Sequence, residues 1–152
     1  MSRSEKQSVL LVDDNEATCT LITAVLHRDF NVEAVGEATE AIERLRTKLY
    51  AAVLLDLRMP VNDGFTVLDF LKGHNAVMLR SVLVVTAALS RTEIERARSY
   101  GICDIVAKPF DVDTLLNAVR KCAGESGSLG EVFCSSTPMI LFLADLLRQR
   151  LM

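Results

Sequence analysis

Five short apolar runs alternate along the chain with five longer stretches in which apolar and polar positions are mixed. The runs are nearly continuous in aliphatic residues, which is typical of strands that are buried on both faces of a parallel sheet. The second run is the least apolar of the five. The predicted strands cover residues 8–12, 31–35, 51–55, 81–85 and 102–107.

The stretches between the runs carry apolar residues at helical spacing. In the first of them, Leu21, Ile22 and Val25 mark one face of a helix. Repeated strand-plus-helix units predict an α/β fold, in which a parallel sheet has helices on both faces and right-handed crossovers. The predicted helices cover residues 16–28, 40–49, 64–72, 93–100 and 113–122.

Two segments flank these units. Residues 1–7 are polar and predict a flexible N-terminus, and residues 124–137 begin with a Gly- and Ser-rich stretch that is typical of a linker. Thr137 is a candidate N-cap and Pro138 suits a first helical turn, so residues 138–152 predict a tail helix. Its apolar face comprises Met139, Leu143, Leu146 and Leu147. Because an apolar face left in water is an interaction site, we expect it to contact its own domain or, in preference, a second copy in a homodimer.

Length and charge narrow the class of protein. A chain of 152 residues, half of them hydrophobic, forms one domain with a substantial core. Its 17 basic and 20 acidic residues give a net charge of −3, which favours neither nucleic-acid binding nor membrane attraction. The longest apolar run near the C-terminus, residues 139–144, is far shorter than the ~20 residues of a membrane span, and the N-terminus lacks a signal-peptide pattern. We therefore expect a cytoplasmic protein.

The cysteines suggest no metal site. No two of them form a CxxC pair, and none has zinc-ligand spacing with a histidine. We interpret them as small buried apolar residues in a reducing compartment. They are Cys19, Cys103, Cys122 and Cys134.

Four of the five predicted strands end at a residue with a reactive or charged side chain. These residues are Asp13 with Asp14, Asp56, Thr86 and Lys108. In an open parallel sheet, ligands bind outside the carboxyl ends of the strands. Three neighbouring carboxylates repel one another unless a cation neutralises part of their charge. Because all the available ligand atoms are oxygens, Mg²⁺ is the favoured cation. One carboxylate would then be available as a nucleophile toward phosphorus, with the hydroxyl and the amine on the phosphoryl oxygens.

These residues and their neighbours resemble the receiver (CheY-like) domain of two-component response regulators. The resemblance covers residues 8–123 and implies a flavodoxin-like fold with strand order 2-1-3-4-5. The motifs that carry it are Asp13-Asp14, Asp56-Leu57-Arg58-Met59-Pro60, Asn62-Asp63-Gly64, Thr86-Ala87-Ala88 and Lys108-Pro109-Phe110.

The resemblance implies a role for each acidic residue. Asp56 is the phosphoacceptor, and a sensor histidine kinase or a phosphotransfer protein is its phosphoryl donor. Asp14 and Asp56 bind Mg²⁺ directly, together with the backbone carbonyl of Arg58, while Asp13 reaches the ion through water. The implied function is a Mg²⁺-dependent switch that changes partner binding and catalyses only its own phosphorylation and dephosphorylation.

The resemblance also implies the phosphoryl-binding and switch residues. Thr86, Ala87 and Lys108 hold the phosphoryl oxygens, and the peptide bond before Pro109 is cis. Ile105 departs from the family pattern, which places Tyr or Phe there. We therefore expect the signal to run through Thr86, whose hydroxyl would move to the site on phosphorylation, and through the loop after it.

Arg58 is a second departure with two open interpretations. Its side chain either pairs with an acid or the phosphoryl group at the site entrance, or faces solvent. A phosphatase of the haloacid-dehalogenase type would need a second Asp at this position, which disfavours that enzyme class. A degenerate receiver that only binds proteins, and a receiver fragment of a longer regulator, remain alternatives.

Overall fold

The computed structural model describes residues 5–60 and 63–124. The predicted strand and helix units are all present, with a 3-10 helix before the fourth strand. The elements are β1 Gln7–Val12, α1 Glu16–Leu26, β2 Phe30–Val35, α2 Ala38–Thr47, β3 Ala52–Leu55, α3 Gly64–His74, the 3-10 helix Ala76–Ser81, β4 Val82–Thr86, α4 Arg91–Ser99, β5 Asp104–Ala107 and α5 Val112–Cys122.

The five strands form one parallel sheet in the order β2-β1-β3-β4-β5. This confirms the flavodoxin-like α/β fold. Every residue of β3 and β4 is buried, whereas β2 and β5 also contain partly exposed and exposed positions. The predicted burial of strands on both faces therefore holds for the central strands only. The edge strands β2 and β5 each have a neighbouring strand on one side only.

Two apolar cores lie on opposite faces of the sheet because successive strand residues point in opposite directions. Leu10 and Leu55 join residues of α2, α3 and α4 in one core. Val9 and Leu54 join residues of α1 and α5 in the other. The helices thus cover both faces, and the carboxyl ends of the strands stay open at one edge.

Helix and strand boundaries shift from the prediction by a few residues. The 3-10 helix takes Ser81 from the predicted fourth strand, and α3 extends to His74. Within the described residues, no helix is long and apolar enough to cross a membrane. The predicted tail helix of residues 138–152, and all of the 124–137 linker except Gly124, lie outside the described residues.

The interpretation of the cysteines as small buried apolar residues in a reducing compartment did not include a disulfide, which two of them form. Cys103, just before β5, and Cys122, the last residue of α5, form a disulfide with their Cα atoms 5.7 Å apart. The two residues are 19 positions apart in sequence, and only the packing of α5 beside β5 brings them together. Cys19 is a free, partly buried thiol.

Candidate functional site

The strand register brings the acidic residues together. Val12 of β1 pairs with Leu55 of β3, so the next residue on each strand, Asp13 or Asp56, lies at the same edge of the sheet. The backbone amide of Asp56 donates to the Val12 carbonyl at 2.9 Å and continues the hydrogen-bond ladder. In the same way, the amide of Lys108 donates to the Thr86 carbonyl at 2.8 Å. The sheet itself thus fixes the backbone of the site.

Lys108 links two of the acidic side chains. Its Nζ lies 2.7 Å from Asp13 Oδ2 and 3.2 Å from Asp56 Oδ2. Burial alone would lower the pKa of Lys108, but the hydrogen bond to Asp13 and the negative charges of Asp56 and Asp13 outweigh it and raise that pKa. The ammonium group therefore stays charged at neutral pH.

The two carboxylate oxygens of Asp56 have different surroundings. Oδ1 accepts hydrogen bonds from the Arg58 amide and from the Thr86 hydroxyl, both at 2.9 Å. Oδ2 faces Lys108 Nζ. Thr86 is buried, and its hydroxyl is already hydrogen-bonded to Asp56. The sequence predicts that this hydroxyl reaches the site only on phosphorylation, whereas the structure already places it there.

The three acidic residues are arranged to hold a metal ion. Asp13, Asp14 and Asp56 each offer a carboxylate oxygen, and these oxygens lie within 4.8 Å of one another. Asp13 is buried with both oxygens engaged, Oδ1 by the Asn15 amide at 2.9 Å and Oδ2 by Lys108, whereas Asp14 is exposed. Oxygen donors without sulfur or imidazole suit Mg²⁺, so the donor set fits the predicted ion.

Gly64, the first residue of α3, packs directly against the backbone of Asp56. A Cβ atom at Gly64 would lie 2.4 Å from the Asp56 carbonyl oxygen and 2.9 Å from the Leu57 Cα. The Gly64 amide also donates to the Leu57 carbonyl at 3.1 Å. The sequence includes Gly64 in the family motif Asn62-Asp63-Gly64, but only the structure shows why a side chain is excluded.

The remaining predicted residues surround the site. Ala87 is exposed in the loop after β4, and the Lys108–Pro109 peptide bond is cis. Ile105 on β5 is partly buried and packs against the core that α4 covers. The structure therefore places an aliphatic side chain where the family pattern has an aromatic ring.

The side chain of Arg58 pairs with an acid, which is one of its two open interpretations, and the partner is Glu93, which the sequence did not identify. Arg58 Nη2 lies 3.0 Å from Glu93 Oε2 and 3.4 Å from Glu93 Oε1. Glu93 also closes the N-terminus of α4: its Oε2 accepts from the Ser90 amide at 2.8 Å, while its own amide donates to Ser90 Oγ at 3.2 Å. The Ser-x-x-Glu spacing is the sequence signal for this capping box.

Fold and site together define a receiver-type signalling module, and comparison with known proteins supports this class. The Response regulator receiver domain profile matches residues 9–120. The transcriptional regulatory protein ZraR of Escherichia coli K12 is 31% identical over 122 residues, which are 80% of this chain and 27% of that protein. The chain thus spans about a quarter of the length of this relative.

Two solved structures carry the same fold. The receiver domain of a sensor histidine kinase from Pseudomonas aeruginosa PAO1, with a magnesium ion coordinated in its active-site cleft, is 28% identical with a TM-score of 0.70, over 79% of this chain and 99% of that one. The non-phosphorylated HemR receiver domain from Leptospira biflexa is 25% identical with a TM-score of 0.72, over 81% and 98% of the two chains. The chain belongs to the response regulator receiver domain family.

Proposed function

We propose that this chain is a Mg²⁺-dependent switch in which Asp56 accepts a phosphoryl group and the modification changes partner binding. The observation that carries the proposal is the burial of Asp56 among charged partners. This residue is 6% exposed and directly follows a buried strand, and its carboxylate faces a lysine and two further acidic residues. A buried acid that is surrounded by partners at a strand end is poised for chemistry rather than for surface solvation.

The hydrogen bonds select the attacking oxygen. Oδ1 of Asp56 already accepts from two donors, so Oδ2 is the oxygen that keeps a free lone pair. In the proposed step, Oδ2 attacks phosphorus, and the bond from phosphorus to the donor's imidazole nitrogen breaks with its electron pair staying on the nitrogen. Hydrolysis reverses the modification: a water oxygen attacks phosphorus, and the bond from phosphorus to Asp56 Oδ2 breaks with its electron pair staying on the carboxylate. Both water protons leave with the inorganic phosphate or pass to solvent.

Lys108 and Thr86 then stabilise the phosphoryl oxygens. Both already touch Asp56, so they are in place before the group arrives. A bound Mg²⁺ would supply charge neutralisation for a group that carries about −2 charges. Asp14 and Asp56 would ligate it with the Arg58 carbonyl, and Asp13 would act through water.

The phosphoryl donor in this proposal is a sensor histidine kinase or a phosphotransfer protein. Receiver domains interact with such proteins, and they are signalling proteins rather than classical enzymes. The only chemistry we propose for this chain is its own phosphorylation and dephosphorylation. Output through DNA would need protein beyond the described residues, as in the longer transcriptional regulator that the chain resembles.

Phosphorylation with a small donor tests the proposal. We expect wild type to gain one phosphoryl group from acetyl phosphate with Mg²⁺, measured by intact mass, and to gain none in EDTA. Asp56→Asn should stay unlabelled, while Asp69→Asn on α3 is a matched control that should label like wild type. Equal labelling of Asp56→Asn would contradict the assignment, and absence of labelling in wild type would favour the degenerate receiver.

The apolar tail leads to a separate proposal about partners. The clustered apolar residues of 138–152 favour a homodimer through this segment, or docking on the chain's own domain. We expect light scattering to give a dimer for the full chain and a monomer for residues 1–123. Equal masses together with equal melting temperatures for the two would contradict both arrangements.

A further inference from the structure

The ion pair between Arg58 and Glu93 crosses the open edge of the sheet. Arg58 follows the phosphoacceptor by two residues, and its amide is bonded to Asp56 Oδ1 at 2.9 Å. Its guanidinium reaches Glu93 in the first turn of α4. One side chain therefore connects the loop that carries Asp56 with the start of a helix from another part of the chain.

The contact holds Arg58 only weakly. The side chain of Arg58 is 53% exposed, and a single nitrogen, Nη2, makes both contacts with Glu93 instead of the two-pronged geometry that is strongest. Arg58 borders an open cleft of about 420 Å³, so its side chain can leave without opening a void in the core. Glu93 would keep its bond from the Ser90 amide after the loss of Arg58.

A phosphoryl group on Asp56 is a stronger partner for the same guanidinium. It carries about −2 charges where Glu93 carries one, and its oxygens match the fork of an arginine. Two acceptors then compete for one cation whose backbone is fixed beside the phosphoacceptor.

We propose that Arg58 is a further phosphoryl-binding residue, which pairs with Glu93 in the unphosphorylated protein and moves to the phosphoryl oxygens when Asp56 is modified. The inference rests on the proposed phosphorylation of Asp56. The transfer breaks the link to the first turn of α4. The second half of that helix stays attached through Arg96, whose guanidinium lies 3.9 Å from the Phe65 ring centroid, and through the Tyr100 hydroxyl, which donates to Asp69.

Binding of the phosphoryl mimic beryllofluoride, with Mg²⁺ present, tests the exchange. Affinity is read from the backbone amide of Ala87 in NMR titrations of the full chain. Arg58→Gln should bind beryllofluoride about two- to fivefold more weakly than wild type, because a phosphoryl contact is lost. Glu93→Gln should bind it more tightly by a similar factor, since the competing acceptor loses its charge while a glutamine keeps the capping bond.

The double variant and a matched control isolate the exchange from general charge effects. In the Arg58→Gln background, Glu93→Gln should have no further effect on affinity. Glu95→Gln removes the same charge from α4, but Glu95 pairs with Arg91 and should leave binding unchanged. The Nε–Hε signal of Arg58 should differ between wild type and Glu93→Gln before beryllofluoride is added and coincide after saturation.

The outcomes separate this inference from the proposed function. If wild type binds no beryllofluoride, the phosphoacceptor proposal itself fails. If wild type binds it, Asp56→Asn does not, and Arg58→Gln has wild-type affinity, then only the role of Arg58 is refuted. An equal gain in affinity from Glu93→Gln and Glu95→Gln would also refute the exchange. Such a gain would show that affinity depends on the total charge of α4 and not on the Arg58–Glu93 pair.

Discussion

Thr86 is the residue whose hydroxyl a new phosphoryl group would redirect. In the unphosphorylated protein this hydroxyl donates to Asp56 Oδ1 at 2.9 Å and lies buried at the end of β4. Under the proposed function, switching therefore requires this hydroxyl to exchange one acceptor for another over a short distance. Ile105 contributes packing only, since its side chain has no group that can donate a hydrogen bond.

The first prediction concerns this exchange. Beryllofluoride should shift the backbone amides of Ala87 and its neighbours in wild type, and these shifts should be lost in Thr86→Ala. Thr86→Ser, which keeps the hydroxyl, and Ile105→Ala should retain them. The measurement is a series of two-dimensional NMR spectra with and without the mimic. A response that is lost in Ile105→Ala and kept in Thr86→Ala would show that the signal takes another route.

At the scale of elements, the start of α3 depends on the absence of one side chain. Gly64 touches the backbone of Asp56 and Leu57, which follow β3, so the helix can begin directly beside Asp56. Gly73 lies in the same helix, but a Cβ atom there would meet no atom of another element within 4 Å, which makes it a natural comparison.

The second prediction uses these two glycines. Gly64→Ala should lower the free energy of unfolding by about 3 kcal/mol, because the new Cβ overlaps backbone atoms that cannot move aside. It should also slow labelling of Asp56 by displacing its backbone. Gly73→Ala should instead raise stability by about 0.5–1 kcal/mol through helix propensity. Urea unfolding measures both, and similar effects from the two substitutions would contradict the packing argument.

Edge strand β2 is tied to the chain that enters β3 by a polar cluster. Glu33 accepts a hydrogen bond from the Tyr50 hydroxyl, and Lys48 Nζ lies 2.9 Å from its Oε1. The bonds from Tyr50 and Lys48 lower the pKa of Glu33. Burial and the bond to Glu33 raise the pKa of Tyr50 to about 12.

The third prediction follows from the raised pKa of Tyr50. In the unfolded chain this phenol ionises near pH 10, whereas in the folded protein it stays neutral until about pH 12. Its stabilising contribution is therefore complete below about pH 10 and is lost as pH rises toward about 12. Between about pH 9 and about pH 11, wild type should lose about 1 kcal/mol more unfolding free energy than Tyr50→Phe. Parallel urea titrations measure the free energy of unfolding of the two proteins at each pH. An equal loss of unfolding free energy in wild type and Tyr50→Phe would refute the prediction.

Local sequence was sufficient for the strands and helices because their apolar spacing is a property of neighbouring residues. Local sequence was insufficient for the 3-10 helix Ala76–Ser81, because this helix has no such apolar spacing. Its position depends on the burial of Met78 and Leu79 in the core. The strand-end positions of Asp13, Asp56, Thr86 and Lys108 were readable in the same way. The pairing of Arg58 with Glu93 was not, because it depends on where α4 lies relative to the β3–α3 loop.

At the scale of the whole molecule, the disulfide closes the last strand–helix unit. It joins the residue before β5 to the end of α5, so the edge of the sheet and the final described helix are held together. The cross-link restricts the unfolded chain more than the folded one in the chain-entropy account of disulfides.

The fourth prediction is that reduction destabilises the protein without unfolding it. Dithiothreitol should lower the free energy of unfolding by about 2–3 kcal/mol, as should Cys122→Ser. In a Cys134→Ser background, alkylation of the denatured protein should add one group before reduction and three after it, counted by mass. Cys19→Ser is the control and should leave the effect of dithiothreitol intact. Three groups before reduction would show that Cys103 and Cys122 are not bonded.

The bond between Lys108 and Asp13 spans 95 residues of sequence. A ribosome therefore releases Asp13 and Asp56, which follow β1 and β3, long before Lys108. Domains generally acquire structure as units once their chain has emerged. A nascent chain that stops before β5 holds two carboxylates without their cation. Synthesis thus imposes an order in time: Lys108 can meet the two carboxylates only after β5, the last strand of the described residues, has emerged.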